Sequence, residues 1–314
     1  MPKRVADVSV IGTAFRIFTT APLRPTAVGC IKSIVYNFFF CQYRAALFPG
    51  KIPVSRVDHQ LDEKIPFTPD WIGVYLDFVA FWIRSLGFLL NTYRQKPQGE
   101  WPAALTGVRE FLESMGALYG FAAEVYQKNL STTRRPFYIR RPRFILIHAF
   151  DPHLMCIPSL HVMVVIRTYT KFAAILRSLG DGETYAPQIA ELKRGALDIT
   201  EAILYVKQHS VNCVAAAMYA MTCFDAELFP RSEAEDFVSR LFTEDTLGAP
   251  LSPAQKLPKI DQRDGEIIRN HIETLYRRFL SESPSANSEA GSWETPLIRF
   301  LQSLQNNMES SYGG

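Results

Sequence analysis

With 314 residues, 47% of them hydrophobic and 21% charged, the chain can bury one large core or two smaller ones and is too apolar for a disordered segment. A formal net charge of +3, with no long Lys/Arg run and no helix-turn-helix or RNA-binding signature, argues against nucleic acid as a partner. The five cysteines (Cys30, Cys41, Cys156, Cys213 and Cys223) are odd in number and sit mostly in apolar stretches, so they read as buried free thiols, and none has zinc spacing.

The N-terminus has a basic start but no sustained apolar core and no small-residue cleavage site, so no cleavable signal peptide is expected. Residues 26–48 form an apolar, aromatic-rich helical pattern closed by Pro49-Gly50, and a polar proline-containing stretch leads to Asp70. Thr68 followed by Pro69 starts the next helix, which runs to about Tyr93. A third helix covers about 103–128. The tract 130–142, with Arg134, Arg135, Arg140 and Arg141 and two prolines, cannot be a regular helix throughout. Helices then follow at 158–179, 186–207 and 209–224, the first two separated by the Gly-Asp-Gly loop at 180–182. No stretch alternates long enough to require a strand, so the class is all-α.

After Pro230 the composition turns polar, with helical patterns at 232–242, 264–280 and 295–308 and a Ser/Ala/Glu/Gly linker at 281–292. The expected organisation is an N-terminal apolar helix and linker (1–64), a helical bundle (65–230) and a polar helical extension (231–314) packed outside the bundle or partly disordered. The longest apolar stretches, at 72–90, 144–166 and 208–224, are interrupted by charge or histidine or are barely long enough to span a bilayer, and mean hydropathy is −0.01. A soluble bundle with thick apolar helices fits the same pattern.

Three short elements carry chemistry, in this order: Lys128-x6-Arg135-Pro136, Pro158-Ser159-Leu160-His161, and Lys207-Gln208-His209 opening an apolar helix. A phosphate monoester carries about two negative charges and calls for several fixed cations and donors. Lys128, Arg134 and Arg135 follow an apolar helix. Ser159 stands where a helix begins, so its hydroxyl and backbone N–H can face an anion. His161 and His209 are a matched pair for attack on phosphorus and protonation of the leaving oxygen. Arg134-x6-Arg141-Pro142 has the same spacing with Arg for Lys, and each element alone has an ordinary structural reading. His148, Asp151 and His153 form a short loop that more often makes a turn than a metal site.

The ordered set resembles the three-part signature of the type 2 phosphatidic acid phosphatases, relatives of vanadium haloperoxidases, in the branch similar to inositol phosphorylceramide synthases. The resemblance covers about 65–224 and includes the Ile65-Pro66-Phe67-Thr68-Pro69-Asp70-Trp71 stretch. It implies a membrane-embedded or membrane-associated helical bundle, in an inner or plasma membrane, acting on a lipid phosphate without cofactor or metal. His209 would be the nucleophile, His161 the general acid and base, and Lys128, Arg134, Arg135 and Ser159 the phosphate-binding residues. The third element departs from the family: Cys213 stands for the orienting aspartate, Ile203 for an arginine and Ala202 for a serine. Cys213 is expected one turn beyond His209 with its side chain facing the imidazole, and Glu201 is a candidate replacement carboxylate. The departures leave a second expectation, a catalytically impaired phospholipid-binding or scaffold protein that keeps the fold.

Overall fold

The computed structural model describes residues 4–96, 99–243, 250, 260–284 and 292–312. Among them 69% are helical and 3% are strand, so the fold is all-α. In chain order the elements are α1 (Val10–Thr19), α2 (Arg24–Ile34), a π-helical stretch (Val35–Phe40) running into α3 (Cys41–Leu47), β1 (Val54–Arg56), α4 (Ile72–Leu76), α5 (Phe78–Tyr93) and α6 (Glu100–Tyr126). They continue with β2 (Leu130–Thr132), α7 (Pro142–Phe150), α8 (Leu160–Ser178), α9 (Ala186–Tyr205), α10 (Val211–Phe224), α11 (Arg231–Ser239), α12 (Gln262–Glu282) and α13 (Thr295–Tyr312).

The most apolar pattern lies in the centre. Helix α8 is buried around almost its whole circumference, as expected of a helix apolar on all faces, and packs against α5, α6, α9 and α10. Helices α1 and α2 lie against α5 and α6. The closest approach of α1 to α5 is at Gly87, where an added Cβ would meet Thr13 Oγ1 and come within 2.7 Å of Val8 Cγ1. Gly87→Ala therefore overfills the contact and is expected to lower stability by about 1–3 kcal/mol, read from the urea midpoint. An unchanged midpoint would show that α1 does not hold this position. The chain before α1 is tied down by Glu191 of α9, whose carboxylate accepts from the Val5 and Ala6 N–H groups at 2.9 and 3.1 Å.

A strand pair departs from the expected elements. The short strands β1 and β2 pair in parallel, with Val54, Ser55 and Arg56 opposite Leu130, Ser131 and Thr132. Three residues are too few for alternation to show, and the pairing depends on α4 to α6 returning the chain to β1. The polar extension packs directly onto the bundle. Helix α12 has a strongly amphipathic pattern and buries Ile268, Ile272, Tyr276 and Phe279 against α10, while Leu297 and Leu301 of α13 join the same core beside β1. An average over composition hides this apolar stripe at helical spacing. Most of the expected linker at 281–292 lies outside the described residues. Among the described residues one helix, running from Pro69 to Tyr93, is long and apolar enough to cross a membrane; 56% of its apolar window is buried inside the fold.

Candidate active site

The loop between β2 and α8 builds the site. The Ser131 hydroxyl accepts from the Cys156 and Ile157 N–H groups at 3.0 and 2.7 Å, and its backbone N–H donates to Leu154 O. These bonds fix the chain just ahead of α8, where the Ile157–Pro158 peptide is cis and the Tyr126 hydroxyl donates to Pro158 O at 2.5 Å. Ser159 is the N-terminal cap residue of α8 and His161 lies in its first turn. The His161 ring stacks on Tyr75 of α4, with centroids 4.7 Å apart, and tilts against Phe78 of α5 at 4.3 Å.

His209 arrives from the other side through the end of α9. That helix closes with Gln208 N–H donating to Ile203 O and Lys207 N–H donating to Leu204 O, the paired bonds of a Schellman turn. Its left-handed residue is Lys207, at φ 54°, where glycine is the usual choice. The Lys207 ammonium holds the strained turn by donating to the Asp62 and Ile65 carbonyls. Asp62 also accepts from Val211 N–H at 2.9 Å, capping α10 from a distant loop. Pinned on both sides, His209 sits before α10, and its Nε2 lies 3.2 Å from His161 Nδ1.

Both rings are held neutral. Burial presses the His161 pKa down to about 4, although Asp151 pulls the other way. Burial, then His161, then the Arg135 guanidinium hold His209 well below its usual value. With two neutral imidazoles, one nitrogen of the 3.2 Å contact donates and the other accepts. His209 Nδ1 meets no partner at hydrogen-bonding geometry, although the Cys156 backbone lies near enough to the ring to oppose the downward shift. The Ser159 hydroxyl is fully buried and likewise has no protein partner.

Arg135 approaches this pair on a carboxylate. Its Nη2 donates at 3.0 Å to both the carbonyl and the side chain of Asp151. Asp151 in turn accepts from His153 N–H at 2.9 Å and from the Gln42 amide of α3 at 2.8 Å. His153 takes φ 58°, a left-handed conformation uncommon outside glycine, and its Nε2 lies 2.7 Å from the Thr133 hydroxyl. Its ring centroid is 6.2 Å from that of His209. Asp151, Thr133 and His153 thus join the site as positioning groups that the sequence reading left out. The available signal was Asp-Pro-His, in which an aspartate bonds the backbone two residues on.

The structure gathers His161, His209, Arg135 and Ser159 in one region and leaves other expected residues elsewhere. Lys128 pairs with Glu294, whose side chain is 3% exposed and takes that cation on burial. Arg134 is exposed in a surface groove with Asp58 and Lys207, its backbone N–H donating to Asp58 at 2.7 Å. Cys213 is fully buried but makes no hydrogen bond to the imidazole. The expected single helical turn from 209 to 213 fails because α10 begins only at Val211, after its cap Ser210. Glu201 does not replace the missing carboxylate, since it accepts from Phe242 N–H at 2.6 Å and from the Tyr205 hydroxyl at 3.3 Å. No cluster of three or more His, Cys, Asp or Glu side chains suited to a metal occurs among the described residues.

Buried neutral histidines make stability depend on pH. As pH falls below about 6.5, the unfolded chain takes up protons on His161, His209 and His271, while the native chain resists; burial holds His271 at about 4 as well. Glu201 opposes this, because burial raises it to about 7 and the native chain keeps its proton where the unfolded chain has lost it. His148 is lowered by burial in the same sense and Asp62 is raised like Glu201, so four histidines outweigh two carboxyl groups and stability should rise with pH between about 5 and 6.5. Urea midpoints across that range check the sign; a midpoint that falls with rising pH would refute it.

Comparison of the chain with protein-family models, with curated proteins and with solved structures gives no significant match.

Proposed function

We propose that the chain performs phosphoryl transfer from a phosphate monoester through a phosphohistidine, as a hydrolase or a phosphotransferase related to the type 2 phosphatidic acid phosphatases. The observation that carries this reading is the meeting of a buried and a half-buried imidazole at 3.2 Å, with the Arg135 guanidinium close enough to act on His209 and a fully buried Ser159 hydroxyl without a protein partner two residues before His161. His209 attacks phosphorus through a ring nitrogen, forming the P–N bond as the P–O bond to the leaving group breaks. His161 delivers a proton to the departing oxygen and later removes one from water or an acceptor alcohol. A dianionic ester offsets the desolvation that keeps the rings neutral, so substrate binding draws a proton onto His161. The rings must part to admit the substrate, because a reacting atom alone needs about 3–3.5 Å from the nucleophile. Arg135 and Ser159 then hold the phosphoryl oxygens, with Arg135 exchanging part of its bond to Asp151 for the ester. A lipid phosphate is the substrate class this reading favours.

A second reading has its own support. His209 Nδ1 has no carboxylate to orient it, and Lys128 is committed to Glu294. A chain so altered would bind a phosphorylated headgroup without turning it over. The two readings separate on incubation with a ³²P-labelled phosphate ester in detergent and chelator, followed by alkaline quench. An acid-labile, alkali-stable label on the protein supports phosphoryl transfer. Saturable binding without label or turnover supports the silent reading, and neither binding nor label refutes both.

A further inference from the structure

We infer that one face of the fold, made by α1, α2, the π-helical stretch, α3 and the segment from Phe137 through α7, docks on an anionic lipid bilayer as an interfacial surface. The inference stands on the surface alone and does not depend on the phosphoryl-transfer reading. Ile11 and Phe15 of α1 are 84% and 70% exposed, Phe40 and Leu47 are 53% and 74%, and Phe137 and Leu146 are 83% and 56%. Most of the large apolar side chains exposed among the described residues lie in these segments rather than scattered singly over the surface, and such a concentration marks a docking face. The two stretches are tied together, because the Gln42 amide of α3 donates to Asp151 just after α7.

Charge selects the occupant. Residues 8–57 hold Arg16, Arg24, Lys32, Arg44, Lys51 and Arg56 and no Asp or Glu; residues 125–150 hold six more cations and again no acid. These two stretches carry twelve of the 34 Lys and Arg residues, leaving 22 cations against 31 acids elsewhere. Four of the twelve pair with acids just outside these stretches (Arg56 with Asp58, Lys128 with Glu294, Arg135 with Asp151 and Arg141 with Asp70), and the other eight carry the excess positive charge of these segments, although the net charge of the chain is only +3. Lys32 and Arg44 are exposed and form no ion pair among the described residues. Apolar side chains set among cations are the composition of an interfacial element, with the rings and aliphatic groups in the acyl boundary and the cations on phosphates. A second copy fits poorly, since pairing this face with itself opposes like charges. A groove of about 460 Å³ opens on the same face, lined by Phe40, Ile52 and Leu130 together with Arg44 and Lys51, and so offers apolar wall and cation to one lipid. The Gln42–Asp151 bond joins the face to the carboxylate that holds Arg135.

The test is flotation of the full chain with vesicles of phosphatidylcholine alone or mixed with phosphatidylglycerol. Binding should be at least about tenfold stronger to the anionic vesicles and should weaken with added salt. Lys32→Glu, Arg44→Glu and Arg140→Glu together should lower partitioning by about a hundredfold, and Phe40→Asp with Leu47→Asp should abolish it. The lipid and salt comparisons use the unaltered protein, so a variant that fails to fold cannot shelter the proposal. Equal binding to both vesicle types, no binding, or a salt-insensitive dimer that the Phe40→Asp change dissolves would each overturn it. Because flotation does not read turnover, a failed phosphatase assay leaves this result unaffected.

Discussion

Replacing His209 with alanine is expected to lower phosphate-ester turnover by about 10³-fold or more and to abolish the protein-bound label, with little loss of folded protein. The nucleophile is removed outright, and His153, whose ring centroid lies 6.2 Å from that of His209, is occupied by Thr133. His161→Gln should behave differently in an informative way. A general acid matters most when the leaving oxygen is basic, so the loss should approach 10²-fold or more on an alkyl phosphate and be far smaller on p-nitrophenyl phosphate. His209→Ala should damage both substrates alike, because attack on phosphorus is common to them. Steady-state kcat on the two esters decides the matter. If His161→Gln falls equally on both, His161 is no general acid; if His209→Ala retains turnover, the phosphohistidine reading fails.

The second large effect concerns stability. Arg194 and Asp198 form an i,i+4 pair on α9 at 2.8 Å, with side chains only 5% and 3% exposed. Removing the cation alone takes away the ion-pair partner of a buried carboxylate, and Glu201, already raised to about 7 by burial, loses a neighbouring positive charge. Arg194→Ala should therefore cost roughly 3–5 kcal/mol, while Arg194→Met with Asp198→Leu should recover most of it. The double change removes both charges, so no ion is left desolvated. Urea unfolding of the three proteins reads the cycle. A loss below about 1 kcal/mol for Arg194→Ala would show that solvent or another group already screens Asp198.

The positions of the helices were legible from local chemistry. Thr68-Pro69 marks the entry to the α4–α5 segment, the Gly-Asp-Gly loop at 180–182 separates α8 from α9, and the apolar runs mark α6, α8, α9 and α10. These signals are local: a capping geometry, a fixed proline φ and a 3.6-residue apolar period are set within a few residues. Two helices escaped that reading. Helix α1 has a serine cap, Ser9, but is too short for its period to stand out, and α7 begins inside the arginine-proline tract.

In the candidate site, the order of the elements carrying His161 and His209 already pointed to a pair, through a resemblance rather than through spacing. Their meeting at 3.2 Å rests on contacts no spacing encodes, with Asp62 and Lys207 pinning one ring and Ser131 fixing the loop before the other. The choice of cation was likewise tertiary. Lys128 and Arg135 are seven positions apart, yet Lys128 turns to Glu294, 166 residues away in sequence, and Arg135 turns to Asp151. A long, flexible charged side chain is drawn to whichever opposite charge folding buries nearby, and that depends on how distant elements pack. Sequence alone therefore determined the all-α class and the candidate histidines, whereas tertiary packing decided which charges surround them, bringing Asp151 to Arg135 and Asp62 to the Lys207 turn before α10.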